Sequence, residues 1–76
     1  MTDIRKISIG PDYKNNAMHY IVGQKVLGDS YEIRHIKYDS SSDSIKIYII
    51  NDKQEVLLWK EFNSTIPTSI EFNINY

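Results

Sequence analysis

The residues able to do chemistry in this chain are few and scattered. His19 and His35 are the only histidines, and no acidic residue stands at a spacing that would let it share a metal with either. A histidine isolated on a strand reads as a surface or packing residue before it reads as a base or a ligand. Nucleophilic catalysis needs a base and an orienting group around a hydroxyl. The serines gather instead at Ser40, Ser41, Ser42 and Ser44, where loop solvation accounts for them. Asp29, Asp39, Asp43 and Glu55 could supply paired carboxylates, yet most of them fall in turns, where aspartate is at home. Gly10, Gly23 and Gly28 form no phosphate-cradling pattern. Asn63-Ser64-Thr65 matches a glycosylation acceptor, but no apolar signal region follows the opening Met1-Thr2-Asp3-Ile4-Arg5-Lys6, so the match reads as incidental. The chain has no cysteine, which excludes disulfides, thiolate metal sites and cysteine nucleophiles. The expectation is a non-enzyme with no cofactor and no metal.

Aromatic side chains carry more information. Tyr13, Tyr20, Tyr31, Tyr38, Tyr48, Trp59, Phe62, Phe72 and Tyr76 are spread over most of the apolar segments. On a small β domain such residues can stack single-stranded nucleic acid, which also requires a basic groove. Lys37, Lys46, Lys60 and Arg34 could form a local patch, but nine basic against ten acidic residues, mixed along the chain, leave a net charge of −1. That balance argues against nucleic acid and against an anionic membrane surface. Tyrosine and tryptophan are equally what protein interfaces favour. Partner contact is expected first at Trp59, Tyr48 and Tyr13, with the remaining aromatics covering a small core.

The elements that must position these residues read as β-strands throughout. The organising stretch is Ser44 to Asn63, S-I-K-I-Y-I-I-N-D-K-Q-E-V-L-L-W-K-E-F-N. Its first arm puts Ile45, Ile47 and Ile49 on one face and Ser44, Lys46 and Tyr48 on the other, the period of two of a half-buried strand. Asn51 to Gln54 is a polar hairpin connection. The returning arm is apolar on both sides, with Val56, Leu58 and Phe62 on one face and Leu57 and Trp59 on the other. A strand of that kind is central in its sheet or offers its second face, here Leu57 and Trp59, to a partner.

Upstream, Ile7 and Ile9 share a face and Ile4 is out of phase, which gives a short strand or an extended arm before Gly10-Pro11. Ala17 to Leu27 reads as one strand, with Gly23 marking a bulge or a close backbone approach. Gly28-Asp29 predicts a type II′ hairpin into Ser30–Tyr38, where the apolar phase slips near Arg34-His35 and predicts a β-bulge. Asp39 to Asp43 is a short polar loop. After Pro67, Ser69 to Tyr76 alternates cleanly and reads as a half-buried edge strand. No ten-residue amphipathic helix fits anywhere. The expected fold is all-β: a small antiparallel meander of five or six strands closing into a compact barrel or sandwich. Residues 1–76 form one domain, with 1–16 as an extended N-terminal arm.

At this length a chain buries only roughly 60% of its unfolded surface, so stability on a single core is modest and association becomes the natural supplement. No apolar run approaches the ~20 residues of a membrane-spanning helix. Synthesis in a reducing, intracellular setting suits the composition.

Residues 7–24 (I-S-I-G-P-D-Y-K-N-N-A-M-H-Y-I-V-G-Q) and 56–63 (V-L-L-W-K-E-F-N) resemble small proteins carried by crAss-like tailed phages of gut Bacteroidetes. The resemblance lies in overall pattern across most of the chain and assigns no residue a role. It implies an auxiliary virion protein on the capsid exterior, made in the host cytoplasm and present in many copies, with the major capsid protein or another virion protein as partner. On that expectation the contact residues are Ile4, Ile7 and Ile9 of the arm, with Tyr13, Tyr48, Leu57 and Trp59. The rival expectation is a small phage regulatory module that binds a host protein or single-stranded nucleic acid through an aromatic sheet face.

Overall fold

The alternating isoleucines of residues 45–49 line the inner side of a single curled antiparallel sheet. A computed structural model describes residues 4–10 and 16–72. Seven strands run in chain order: β1 (Ile4–Ile9), β2 (Met18–Ile21), β3 (Lys25–Val26), β4 (Tyr31–Asp39), β5 (Ser44–Asn51), β6 (Val56–Asn63) and β7 (Ser69–Phe72). The described residues include no helix, so the chain is all-β, as its periodicity predicts. The sheet order is β2-β1-β4-β5-β6, with β3 added to β4 and β7 to β1, and the path is not closed into a barrel. It nonetheless folds over on itself. Tyr20 on β2 and Trp59 on β6 come from opposite ends of this path, yet their rings meet edge to face at 5.8 Å.

Seven isoleucines and Tyr20 make up the buried core: Ile4, Ile7, Ile33, Ile36, Ile45, Ile47 and Ile49. Only the three on β5 follow simple alternation. Ile4 and Ile7, and likewise Ile33 and Ile36, are spaced by three, which in a regular strand would send them to opposite faces. One extra residue in each strand cures this. The β4–β5 register jumps between Ile33 and His35, so Arg34 is the inserted residue, where the phase slip predicts a bulge. The β1–β7 register shifts between Ile4 and Lys6, around Arg5. A third shift leaves Trp59 without a partner between Tyr48↔Leu58 and Ile47↔Lys60.

Several expectations change. Of the short strand or extended arm expected at the N-terminus, residues 4–9 form the strand: Ile7 pairs with Tyr20 of β2 on one edge and Ile70 of β7 on the other, while Ile4 pairs with Ile36 of β4 and Phe72. The remainder of the expected arm, residues 1–3 and 11–15, lies outside the described residues. Ala17 to Leu27 is two strands, because residues 21–24 turn. The Gln24 amide donates to the Ile21 carbonyl at 2.9 Å, with Gly23 in third place at φ +96°. Nothing lies within 4 Å of where a Cβ on Gly23 would stand, so this glycine is needed for its dihedral and not for a close approach. The next turn has positive φ at both central residues, Gly28 at 68° and Asp29 at 70°, closed by Ser30 N–H to the Leu27 carbonyl. That is the type I′ pattern and not the predicted II′. Finally, the order is not a simple meander: β1 lies between β2 and β4, and the chain departs from sequential pairing again after β6. Thr68 donates its amide to the Ser8 carbonyl at 2.8 Å and leads β7 onto the far edge of β1.

Candidate functional site

The apolar side chains of β6 form the site that stands out, and the register decides which way each of them points. Directly opposed residues of an antiparallel pair share a face. Leu57 opposes Ile49 and Phe62 opposes Ile45, so both belong to the inner side; Leu58 opposes Tyr48 and Val56 opposes Ile50, so both belong to the outer side. The bulge at Trp59 lets the indole pack on the core together with Phe62, three residues further on. Strict alternation assigns the faces the other way round, with Trp59 and Leu57 outward and Val56 and Leu58 inward. The outward apolar patch is therefore Val56 and Leu58, flanked by the half-buried Tyr48 and Ile50. Leu57 sits at the inner rim of the sheet. Exposure is 51% for Val56, 42% for Leu57 and 45% for Leu58, three consecutive large apolar residues open to solvent on both sides of one strand.

β6 is also the last strand of the path, and its outer edge is paired with no strand among the described residues. The Asn51 amide donates to the Glu55 carbonyl at 3.2 Å, so the main chain of Glu55 points toward β5. By alternation the N–H and C=O groups of Val56 and Leu58 point away from the sheet. Asn51 fixes this end of the hairpin, because its Oδ1 accepts from the amides of Lys53 and Glu55, both at 2.9 Å. Apolar side chains and available backbone groups thus coincide at Val56–Leu58.

The other expected contact residues separate from this patch. Ile4 and Ile7 are buried in the core and offer no surface to a partner, and Ile9 packs against it half-buried. Tyr13 lies outside the described residues. Tyr48 opposes Leu58 and His35 on the outer face, with Lys37 Nζ 5.9 Å from its ring centroid. Trp59 is half-buried against Tyr20, and Lys60 Nζ stands 4.8 Å from its ring centroid. Of the four cations considered for nucleic acid, three are already engaged within the chain. Lys46 Nζ is held by Asp39 at 2.8 Å with Glu61 at 4.0 Å, and Lys37 and Lys60 lie over aromatic rings.

Two polar arrangements were not legible in the sequence. Ser8 Oγ and His19 Nδ1 are 2.9 Å apart, a cross-strand pair created by the register Ser8↔His19. A working nucleophile needs an imidazole oriented by a third group and donors for the developing oxyanion. His19 is exposed and has no second hydrogen-bond partner among the described residues, so the pair serves to satisfy Ser8 in its nearly buried position. The second arrangement ties together the outer ends of β4, β5 and β6. Lys46 and Ser41 donate to Asp39, and Ser44 Oγ donates to Glu61 at 2.9 Å. Ser64 and Tyr38 donate to Asp43 at 2.7 and 2.8 Å. The Lys46 ammonium, with help from Ser41, holds the Asp39 carboxyl well below the usual carboxylate range, and Ser64 and then Tyr38 lower that of Asp43. A group that binds a metal or works as an acid at neutral pH would be shifted the other way or left unneutralised; these are structural anions. Among the described residues no cluster of three or more His, Asp or Glu could hold a metal ion. A cleft of about 270 Å³ between the two hairpin tips is lined by paired or solvated polar groups, including the Lys25–Glu32 ion pair at 3.5 Å.

No protein-family model, no curated protein and no solved structure matches the chain.

Proposed function

We propose that the protein is a non-enzymatic structural component that attaches to other protein surfaces through the apolar edge of β6. The observation that carries this is the run Val56-Leu57-Leu58, each at least 42% exposed, on a strand whose outer edge pairs with no strand among the described residues. The bulge at Trp59 and Lys60 blunt the far half of this edge, but Val56–Leu58 stay bare, a liability that a lone monomer would be expected to cover. A partner seated on it removes the liability and gains roughly 25 cal/mol for each Å² of apolar area withdrawn from water. On the resemblance of residues 7–24 and 56–63 to small phage proteins, the assembly we propose is a capsid, with the protein on its exterior in many copies. Repetition across a lattice compensates for a small contact per copy.

Quantitative protein analysis of purified particles tests the assembly. A fixed ratio of this chain to the major shell protein is expected, and its absence from particles overturns the capsid assignment. Leu58→Lys tests the surface. The side chain points outward, so the variant keeps the native β-sheet spectrum and loses binding to shells; full decoration of shells by this variant overturns the β6 surface.

A further inference from the structure

We infer that the occupant of the β6 edge is a second copy of this chain, paired antiparallel about a two-fold axis at Leu57. This rests on the proposed role of β6 and names what covers its backbone.

Only some registers are open to a strand that pairs with itself. The two residues opposed across the axis must share a face and must both direct their main chain toward, or both away from, the partner strand. The main chain of Leu57 points toward β5, like that of Glu55, while Val56 and Leu58 direct theirs outward. An axis at Leu57 therefore makes Leu57 against Leu57 a close, non-hydrogen-bonded pair. Val56 of each copy exchanges two backbone hydrogen bonds with Leu58 of the other, which uses the outward groups at those positions.

Charge agrees with this register. Beyond the apolar centre, each strand carries Glu55 on its hairpin side and Lys60 on its far side, while Lys53 lies in the turn and Glu61 is held in its own chain by Ser44 with Lys46 near by. Antiparallel pairing about Leu57 brings opposite ends together. Across the bulge at Trp59, Lys60 of each copy comes level with Glu55 of the other. The sequence thus places unlike charges opposite each other twice per dimer, where a parallel pairing would set like against like. Val56 and Leu58 of both copies then adjoin on the outer face, doubling the apolar patch that remains open for docking while the backbone edges are consumed.

The test uses the full chain, in which no cysteine interferes. Sedimentation equilibrium from about 10 µM to about 1 mM, the range of weak self-association, is expected to show a monomer–dimer equilibrium. A non-hydrogen-bonded antiparallel pair brings Cα atoms to ~4.5 Å, within disulfide reach. Leu57→Cys, exposed enough to leave folding intact, is expected to form a disulfide dimer with oxidised glutathione at least tenfold faster than Lys37→Cys on the outer face of β4. Monomeric sedimentation throughout, or equal cross-linking rates for the two variants, overturns the pairing. The two proposals fail separately. A monomer whose Leu58→Lys variant loses shell binding keeps the docking role and rejects self-pairing; a dimer that never associates with particles does the reverse.

Discussion

Replacing Ile47 by alanine tests the assignment of the core most directly. Ile47 is fully buried at the middle of β5, opposed by Ile36 on β4 and by Lys60 beside the β6 bulge. The substitution deletes three carbon atoms, about 2.4 kcal/mol at roughly 0.8 kcal/mol each, and leaves a cavity that neighbouring isoleucines on a fixed backbone cannot collapse into. The total loss is then about 3–4 kcal/mol, near the middle of the range for large-to-small core changes. A domain of this size has only about 4–11 kcal/mol of stability in all. The variant is expected to be close to unfolding at room temperature, or to shift its urea midpoint by about 3 M for a slope of about 1 kcal/mol/M. Trp59, the sole tryptophan, reports the transition by fluorescence, because its ring packs edge-on to Tyr20 only when the sheet is folded over. Leu57→Ala serves as the matched control: the same kind of truncation at an open position, with an expected loss of about 1 kcal/mol or less. If the two variants unfold at the same urea concentration, Ile47 does not lie in a packed core and the folded-over sheet is wrong.

Acid unfolding should depend on Asp39. Its carboxyl is held below the normal range in the folded protein, chiefly by Lys46. The group therefore contributes stability that is full above the unfolded carboxylate value of about 3.9 and is lost as pH falls from there toward the lower folded value. Asp39→Asn should flatten the stability profile below pH about 4, as measured by thermal melts across pH; an unchanged acid limb rejects the Asp39–Lys46 contact. At the alkaline end the signs reverse. Lys46, raised by Asp39, and Tyr38, raised by its hydrogen bond to Asp43, contribute stability present below pH about 10 that declines as pH rises through their folded values. Alkaline melts of Tyr38→Phe should lose part of that dependence. Gly23→Ala should cost about 1 kcal/mol or more from backbone strain alone at φ +96°, whereas Gly28→Asn, at a dihedral asparagine accepts, should cost less. Equal melting temperatures for these two variants would argue against the turn assignments.

Single positions show what could be seen in advance. The β5 isoleucines announced their face because a regular strand alternates and one side was uniformly apolar. The Arg34 bulge was visible because two apolar pairs on the same strand fell out of phase. The β6 bulge was hidden for the opposite reason: with Val56, Leu57, Leu58, Trp59 and Phe62 apolar on both sides, no phase error existed to reveal it. Its consequence was large, since it exchanged the faces of Leu58 and Trp59 and so moved the candidate contact surface. Ile4 stood out of phase with Ile7 and Ile9, which left a short strand and an extended arm both open; the strand is what forms, and the bulge in its pairing with β7 makes Ile4 and Ile7 both core. Ser8 and His19 lie eleven residues apart with nothing local to link them, and only the β1–β2 register brings them into contact.

By itself, then, the sequence determined the all-β class, the half-buried strands, most of the turn positions and the lack of any local motif for catalysis or metal binding. These follow from side-chain period and backbone preference, which act over a few residues. Tertiary structure alone decided that β1 is an interior strand, that β7 returns to it, that Trp59 turns inward, and that Val56, Leu57 and Leu58 are left open on an edge paired with no other described strand. Those outcomes depend on register and strand order, and these are set by pairings between residues far apart in the chain whose energies no local pattern encodes.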